Sequence, residues 1–271
     1  MGNEMTLKGK IALITGGSRG IGRAITLKLA EEGADVIINY FRKKSAAELT
    51  AEEARGKGVT AHIIKANVGE PEKIDSMFAE IEEKFGRLDI LINNAASGVA
   101  RSALNLDSRG WDWTMDINAR AFLLCAQRAA RLMKNGGKMV SISSLGSRLV
   151  LPIYTAVGVS KAALEALTRY LAIELAPQGI CVNGVAAAAV EGTEAVKLYT
   201  ADPNLPRLSW QTTPAGRMVR PEDIANVVAF LCSDQSAMIR GQIIVIDGGL
   251  SLAPFGTEIT KPDQGGKLDP A

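Results

Sequence analysis

Histidine and cysteine, which carry much of the acid–base and metal chemistry of enzymes, are nearly missing from this chain. Only one of its 271 residues is a histidine, His62, and it lies in a mostly apolar stretch. A catalytic triad or a histidine-based metal site is therefore not expected. The three cysteines, Cys125, Cys181 and Cys232, are odd in number and far apart, which favours buried thiols over a disulfide framework or a metal site. The sequence predicts no bound metal.

Strong charge and long apolar runs are also lacking. The formal net charge is only +2, and the basic cluster Arg42-Lys43-Lys44 is short, so no nucleic-acid partner is expected. No apolar stretch reaches the length of a membrane-spanning helix, and the N-terminal residues Met1–Glu4 show no signal-peptide pattern. We expect a cytoplasmic protein that does not bind membranes.

The chain does contain a regular alternation of short β-rich runs and longer amphipathic runs. A hydrophobic share of 47% with only 5% aromatic residues indicates an aliphatic core. This alternation predicts an α/β fold with one doubly wound sheet of about seven parallel strands and helices on both faces. The predicted strands are Ile11–Ile14, Asp35–Tyr40, Ala61–Ala66, Asp89–Ile92, Lys138–Ile142, Ile180–Val185 and Ile243–Ile246. The predicted helices are Ile21–Glu32, Ala46–Arg55, Pro71–Phe85, Trp111–Met133, Thr155–Leu175 and Pro221–Cys232.

Two segments interrupt this alternation. Residues from about 186 to 213 follow a strand, carry Pro203 and Pro206 and show no clear period. Because ligands bind at the carboxyl ends of strands in open α/β sheets, this segment is predicted to be a substrate lid. Residues 253–271 form a polar tail rich in glycine and proline. No linker divides residues 1–252, which we interpret as one domain.

A glycine-rich segment, Thr15-Gly16-Gly17-Ser18-Arg19-Gly20-Ile21-Gly22, directly follows the first predicted strand and opens the first predicted helix. Glycines allow the backbone to approach a pyrophosphate, and the helix N-terminus supplies amide donors. The position between strand and helix indicates a dinucleotide site. A tight turn of purely structural purpose is the alternative.

The end of the second predicted strand, Asn39-Tyr40-Phe41-Arg42, bears on which dinucleotide binds. An acidic residue here would accept hydrogen bonds from the adenosine ribose and favour NAD, but the segment contains none. Arg19 in the glycine-rich segment and Arg42 are both able to neutralise a 2′-phosphate. The pattern favours NADPH, although two solvated surface arginines would give the same sequence.

A tyrosine and a lysine, Tyr154 and Lys161, stand seven positions apart. On a helix this separation returns to nearly the same face two turns along, with the two Cα atoms about 10 Å apart. A nearby ammonium favours the phenolate and lowers the pKa of the phenol, so the pair is suited to acid catalysis.

The segments Thr15–Gly22 and Asn93-Asn94-Ala95-Ala96, with Asn118, Ser144 and Lys161, resemble the short-chain dehydrogenase/reductase superfamily. The resemblance runs from about Leu7 to Leu252 and implies a Rossmann-like single domain. It also implies that Asn118 holds a helix bend and a water that orients Lys161, while Lys161 binds the nicotinamide ribose and lowers the pKa of the tyrosine. The cofactor residues that pattern and resemblance indicate are Gly16, Ser18, Arg19, Gly20, Ile21, Gly22, Arg42, Asn67, Val68, Asn94, Ala95 and Lys161.

Longer sequence segments narrow the resemblance to one family within the superfamily. Asn93–Val99, Trp111-Asp112-Trp113-Thr114-Met115 and Tyr154–Lys161 look like enoyl-acyl-carrier-protein reductase III, the FabL type, with further support from Thr213–Met218 and Met238–Gln242. This resemblance implies NADPH-dependent reduction of a trans-2-enoyl thioester of acyl-carrier protein or CoA, the last step of fatty-acid chain elongation. The superfamily also implies a homotetramer. Residues 187–193 depart from the usual family pattern.

The more familiar superfamily arrangement places tyrosine four residues before the lysine, where this chain has Val157. Moving the tyrosine three residues earlier, to 154, shifts its Cα by roughly 4.5 Å along a helix. In conjugate reduction hydride goes to Cβ and charge develops on the more distant thioester oxygen. The direction of the shift therefore suits an enoyl substrate, for which Tyr154 would stabilise the enolate oxygen.

Several alternatives remain open at this stage. Tyr154 in a changed substrate pose would allow reduction of a 3-oxoacyl thioester or another ketone, and a non-catalytic NADPH sensor would need no acid at all. Tyr154 would then only pack or cap a helix. Ser144 is either a substrate-orienting hydroxyl or a structural one, and Tyr170 and Tyr199 are competing acids. Trp111 and Trp113 suit either an oligomer interface or the core.

Overall fold

A computed structural model of the chain describes residues 7–194, 196–197 and 213–253. Part of the predicted lid, including Tyr199, Pro203 and Pro206, lies outside the described residues, as does the tail from residue 254 onwards.

One seven-stranded sheet forms the centre of the fold, and every neighbouring pair of strands is parallel. The order is β3-β2-β1-β4-β5-β6-β7, so the direction of winding reverses between β1 and β4. In such sheets the reversal opens a crevice at the carboxyl ends of the strands. The strands are β1 Ile11–Ile14, β2 Asp35–Tyr40, β3 Ala61–Lys65, β4 Ile90–Asn93, β5 Gly137–Ser144, β6 Ile180–Ala187 and β7 Ile243–Ile246.

Helices cover both faces of the sheet, and each face has its own apolar core. The helices are α1 Gly20–Glu31, α2 Lys44–Arg55, α3 Pro71–Phe85, α4 Ser108–Met115, α5 Ala121–Leu132, α6 Thr155–Glu174 and α7 Pro221–Cys232. One core joins α1, α2 and α7 to the sheet, and the other joins α3, α5 and α6. The predicted single-domain, Rossmann-like doubly wound fold is confirmed.

The predicted helix Trp111–Met133 is interrupted. Helix α4 begins at Ser108, because the Asp107 carboxylate accepts a hydrogen bond from the Gly110 amide at 2.7 Å and caps the first turn. A π-helical turn, Asp116–Arg120, then separates α4 from α5. Such turns are common at functional sites, and this one contains Asn118.

Strands β5 and β6 are longer than predicted and pair as far as Ser144 with Ala187. Ser144 therefore lies at the carboxyl edge of the sheet, and the first two residues of the predicted lid belong to β6. All three cysteines are buried free thiols, as predicted. Within the described part of the chain, no helix is long and apolar enough to cross a membrane.

Candidate active site

A groove of about 700 Å³ runs along the carboxyl edge of the sheet at the point where the winding reverses. All of the predicted cofactor residues except Lys161 line it. They are Gly16, Ser18, Arg19, Gly20, Ile21, Gly22, Arg42, Asn67, Val68, Asn94 and Ala95. The glycine-rich segment, the end of β2 and the segment after β4 thus meet in one extended cleft.

Asn39 holds the glycine-rich turn in place. The sequence had drawn attention to this residue only because the end of the second strand lacks an acidic side chain. Its side-chain oxygen accepts a hydrogen bond from the Gly16 amide at 3.2 Å, and its backbone carbonyl accepts one from Gly17 at 3.0 Å. Its side-chain amide donates to Ala66 O at 3.1 Å. The buried Asn39 therefore fixes the turn from behind.

The start of α1 suits a bound pyrophosphate. No side chain caps this helix N-terminus, and its first turn contains no acidic residue. The amide donors and the positive end of the helix dipole are consequently available to an anion in the groove. The residues present fit a nicotinamide dinucleotide.

Cationic side chains gather at the end of the groove near β2. The predicted Arg19 and Arg42 are joined there by Lys43, which sequence reasoning noted only as part of a short basic cluster. The Arg42 guanidinium lies over the Phe41 ring, 5.5 Å from its centroid. Glu194 lies 3.9 Å from Arg19, and both side chains are largely exposed.

A second, smaller and mainly apolar pocket of about 260 Å³ adjoins the groove and shares Asn94 and Ala96 with it. Ser144, Tyr154 and Lys161 all line this pocket. Its apolar wall comes from Ile142, Leu145, Leu149, Leu151, Ala187, Ala188, Ala189, Val190, Val196 and Leu250. Three of the four predicted catalytic residues therefore lie together, beside the dinucleotide groove.

Tyr154 directly precedes α6 and faces Ser144. Its hydroxyl donates to Ser144 Oγ at 3.5 Å, a long hydrogen bond. Its ring lies against the backbone of Gly146, where an added Cβ would stand 2.5 Å from the ring atom Cε1. Only glycine at 146 allows this approach.

The acidity of Tyr154 differs from the sequence prediction. Burial raises the pKa of the Tyr154 phenol, and the hydrogen bond with Ser144 opposes this only in part. The predicted lowering of its pKa by Lys161 is therefore wrong for this structure, because desolvation is the dominant effect on the phenol. A protonated phenol at neutral pH is a hydrogen-bond donor.

Lys161 lies on α6, with its side chain buried. Its ammonium group donates to Ile142 O at 2.8 Å, and burial lowers the pKa of Lys161 to about 8. It does not line the dinucleotide groove itself, but it lines the adjoining pocket with Tyr154. Lys161 therefore carries a positive charge near the phenol at neutral pH.

Asn118 lies in the π-helical turn Asp116–Arg120, and its side chain is fully buried. Its side-chain oxygen accepts from the Ser97 amide at 3.0 Å, and its side-chain amide donates to Ser160 Oγ at 2.9 Å. Ser160 Oγ in turn donates to the backbone carbonyl of Val157 at 2.7 Å. Asn118 thus connects the segment after β4 to α6, next to Lys161.

Val157, at the position of the familiar tyrosine, does not line the apolar pocket. A Cβ added at Gly98 would overlap Val157 Cγ2, so the backbone at 98 packs directly against this side chain. Position 157, where most members of the superfamily would carry the acidic tyrosine, therefore packs against the segment after β4.

Comparison with known proteins identifies the family to which this fold belongs. A family model described as enoyl-(acyl carrier protein) reductase matches residues 16–251. The chain belongs to the short-chain dehydrogenase/reductase superfamily. Members of this superfamily bind a nicotinamide dinucleotide, in agreement with the groove.

Relatives within this superfamily carry names for different reductions. The chain is 36% identical over 250 residues to 1-cyclohexenylcarbonyl-CoA reductase of Streptomyces collinus, covering 91% of this chain and 89% of that protein. It is 38% identical over 247 residues to 3-oxoacyl-[acyl-carrier-protein] reductase FabG of Staphylococcus aureus, covering 89% and 98%. The angucycline C-6 ketoreductase LanV, solved with bound NADP, is similar in structure with a TM-score of 0.84, 35% identity and coverage of 91% and 97%.

Proposed function

We propose that this short-chain reductase uses NADPH to reduce the trans-2 double bond of an enoyl thioester. One observation carries the proposal. The Tyr154 hydroxyl lies beside Ser144 in the apolar pocket that contains Lys161, while Val157 lies outside that pocket. The acid group is thus displaced toward the N-terminal end of α6.

This displacement suits the charge that develops during conjugate reduction. A bound NADPH would supply hydride to Cβ of the acyl group. Tyr154, whose pKa is raised, stays protonated and donates a hydrogen bond to the thioester oxygen as negative charge accumulates on it. A proton added at Cα completes the saturated thioester, so one hydride and one proton account for the product.

The cations of the pocket and groove support the remaining parts of the proposal. Lys161 places a positive charge in the pocket that Tyr154 also lines. Arg19, Arg42 and Lys43 would pair with a 2′-phosphate, which favours NADPH over NADH. The bound NADP in the related LanV structure is consistent with this choice.

Carbonyl reduction of a 3-oxoacyl thioester is the second candidate. The observation in its favour is that Ser144 Oγ and the Tyr154 hydroxyl are 3.5 Å apart, so both would reach one carbonyl oxygen. The FabG relative at 38% identity also favours it. Both candidates use the same pocket, so a direct comparison of substrates is needed.

The deciding experiment follows NADPH oxidation with crotonyl-CoA and with acetoacetyl-CoA. We expect turnover of the crotonyl thioester and a loss of about 100-fold or more in kcat for Tyr154→Phe, since an oxyanion donor contributes a few kcal/mol. Tyr170→Phe is the matched control, because Tyr170 lies on α6 but is 70% exposed. Preferential reduction of acetoacetyl-CoA would select the ketone function. Tight NADPH binding without turnover of either substrate would indicate a sensor.

The proposal extends to partners and assembly. The acyl group would arrive as a thioester of acyl-carrier protein or CoA, in fatty-acid synthesis. Helix α6 exposes Val159 and Ile173, whose apolar surface suits contact between copies in a homotetramer. Sedimentation equilibrium of the wild-type chain tests the tetramer, and a monomeric result at micromolar concentration would rule it out.

A further inference from the structure

Ile153, the residue directly before Tyr154, has a backbone conformation that its side chain disfavours. Its φ is 53°, and every other positive φ within residues 7–194, 196–197 and 213–253 belongs to a glycine. For a β-branched residue this left-handed region is a genuine outlier, because Cβ comes too close to the following carbonyl oxygen. Such strain persists only where surrounding structure imposes it, and it concentrates at functional sites.

The segment after β4 holds Ile153 in this conformation. The Ile153 carbonyl accepts a hydrogen bond from the Arg101 amide at 3.0 Å, and Arg101 forms an isolated parallel β-bridge with Tyr154. Two further contacts hold the segment after β4 in place. Gly98 packs against Val157, and the Ser97 amide donates a hydrogen bond to the Asn118 side chain. We call residues 97–101 the clamp.

The clamp also borders the cofactor site. The residues just before it, Asn94, Ala95 and Ala96, line the dinucleotide groove together with Ser97. One short segment therefore contacts the groove at one end and the backbone next to Tyr154 at the other.

We infer that Ile153 is a positioning residue, whose left-handed backbone, held by the clamp, directs the Tyr154 hydroxyl toward Ser144. With an ordinary negative φ at 153, the chain would enter α6 along a different path and the phenol would leave the apolar pocket. The strained backbone at Ile153 is therefore the structural cost of holding the phenol in place before substrate binds. This inference rests on the proposed function insofar as Tyr154 is taken as the donor to substrate.

The test changes the conformation allowed at 153. Proline fixes φ near −65° and forbids the left-handed region, whereas glycine and asparagine accept it. We expect Ile153→Pro to lower kcat with crotonyl-CoA by about 100-fold, with the NADPH dissociation constant changed by less than about threefold. Ile153→Gly and Ile153→Asn should retain kcat within about fivefold, because both residues accept the left-handed conformation. Equal loss of kcat in all three variants would overturn the inference, because the side chain and not the conformation would then matter.

Movement of the clamp gives a second test in case the proline variant does not fold. Gly98→Ala forces a Cβ against Val157 and should lower kcat by about tenfold or more. The double variant with Val157→Ala makes room for that Cβ and should recover most of the loss. Wild-type kcat in a folded Gly98→Ala protein would contradict a role for the clamp.

A readout without substrate separates this inference from the proposed function. The absorbance of tyrosinate is titrated in each variant and in the same variant carrying Tyr154→Phe, and the difference gives the ionisation of Tyr154 alone. The pKa of Tyr154 is raised by burial in the wild type. It should fall toward its ordinary value in Ile153→Pro and Gly98→Ala, but not in Ile153→Gly. An unshifted pKa in the folded Ile153→Pro or Gly98→Ala protein overturns the positioning role, whereas a wild type inactive on crotonyl-CoA overturns only the enoyl function.

Discussion

The hydroxyl of Tyr154 donates to Ser144 Oγ across 3.5 Å, joining the entrance of α6 to the end of β5. Ser144 also accepts a hydrogen bond from the Gly146 amide at 3.2 Å, so its hydroxyl oxygen is oriented by the turn on which the tyrosine ring rests. Two groups able to bind one substrate oxygen are therefore held by the same short loop.

Ser144→Ala tests whether this hydroxyl takes part in the reaction or only orients the phenol. We expect kcat with crotonyl-CoA to fall by about tenfold, less than in Tyr154→Phe, since the phenol remains. If serine acts through tyrosine, the double variant should be no worse than Tyr154→Phe alone. Fully additive losses in this double-mutant cycle would show that Ser144 acts independently. Thermal unfolding of each variant controls for misfolding.

The pH dependence of activity should report Lys161. Its pKa is lowered by burial to about 8, so its charge is present below that pH and is lost above it. If the charge supports the phenol and the cofactor, kcat/KM will decline on the alkaline side with an apparent pKa near 8. Lys161→Arg, which stays charged, should move this alkaline limb upward. An unchanged limb in the arginine variant would assign the ionisation to another group.

The same shift has the opposite consequence for stability. Between pH 8 and the ordinary lysine value of 10.5, the unfolded chain binds a proton that the folded chain does not. The free energy of unfolding should therefore rise across this window, by about 3 kcal/mol for the Lys161 contribution. Lys161→Met removes the buried charge, so chemical denaturation at several pH values should show a flatter profile for this variant than for the wild type. A parallel profile would contradict the assignment.

Much of the fold followed from local signals in the chain. The alternation of strand and helix runs predicted all seven strands within a few residues, because most of the strands contain a short run of aliphatic residues. The break in the predicted helix Trp111–Met133 could not be foreseen, since a π turn needs no distinctive sequence. The early start at Ser108 had a readable signal in Asp107, a residue that favours helix caps.

The sequence predicted which residues meet in the groove and the apolar pocket, but not the acidity of the phenol. The residue types in the glycine-rich turn, and the positions of Arg19 and Arg42, were enough to predict the dinucleotide groove. The raised pKa of Tyr154 depends on burial of the phenol in the folded chain, which no spacing rule reports. The role of Gly98 against Val157 and the conformation of Ile153 likewise exist only once the segment after β4 is folded over α6.

Cofactor choice is tested at the cationic end of the groove. Arg42→Ala should raise the NADPH dissociation constant by about tenfold or more and leave that of NADH nearly unchanged, because only NADPH carries the 2′-phosphate. Glu48→Ala serves as a control, because its carboxylate pairs with Lys44 on α2 and does not line the groove. Isothermal titration with each dinucleotide gives both constants. Equal effects on the two cofactors would show that Arg42 does not recognise the 2′-phosphate.

The two tryptophans of α4 should respond differently to cofactor. Both are 36% exposed, but only Trp113 lines the dinucleotide groove, where its indole N–H donates to Ser97 Oγ at 3.0 Å. An aromatic ring at this edge can stack on a bound base. Oxidised NADP does not absorb tryptophan emission, so energy transfer does not contribute to the quenching it causes. In a Trp210→Phe background, which removes the third tryptophan, NADP should quench fluorescence strongly. That quenching should survive Trp111→Phe and disappear in Trp113→Phe. Quenching that depends on Trp111 would instead place the bound dinucleotide on the other side of α4.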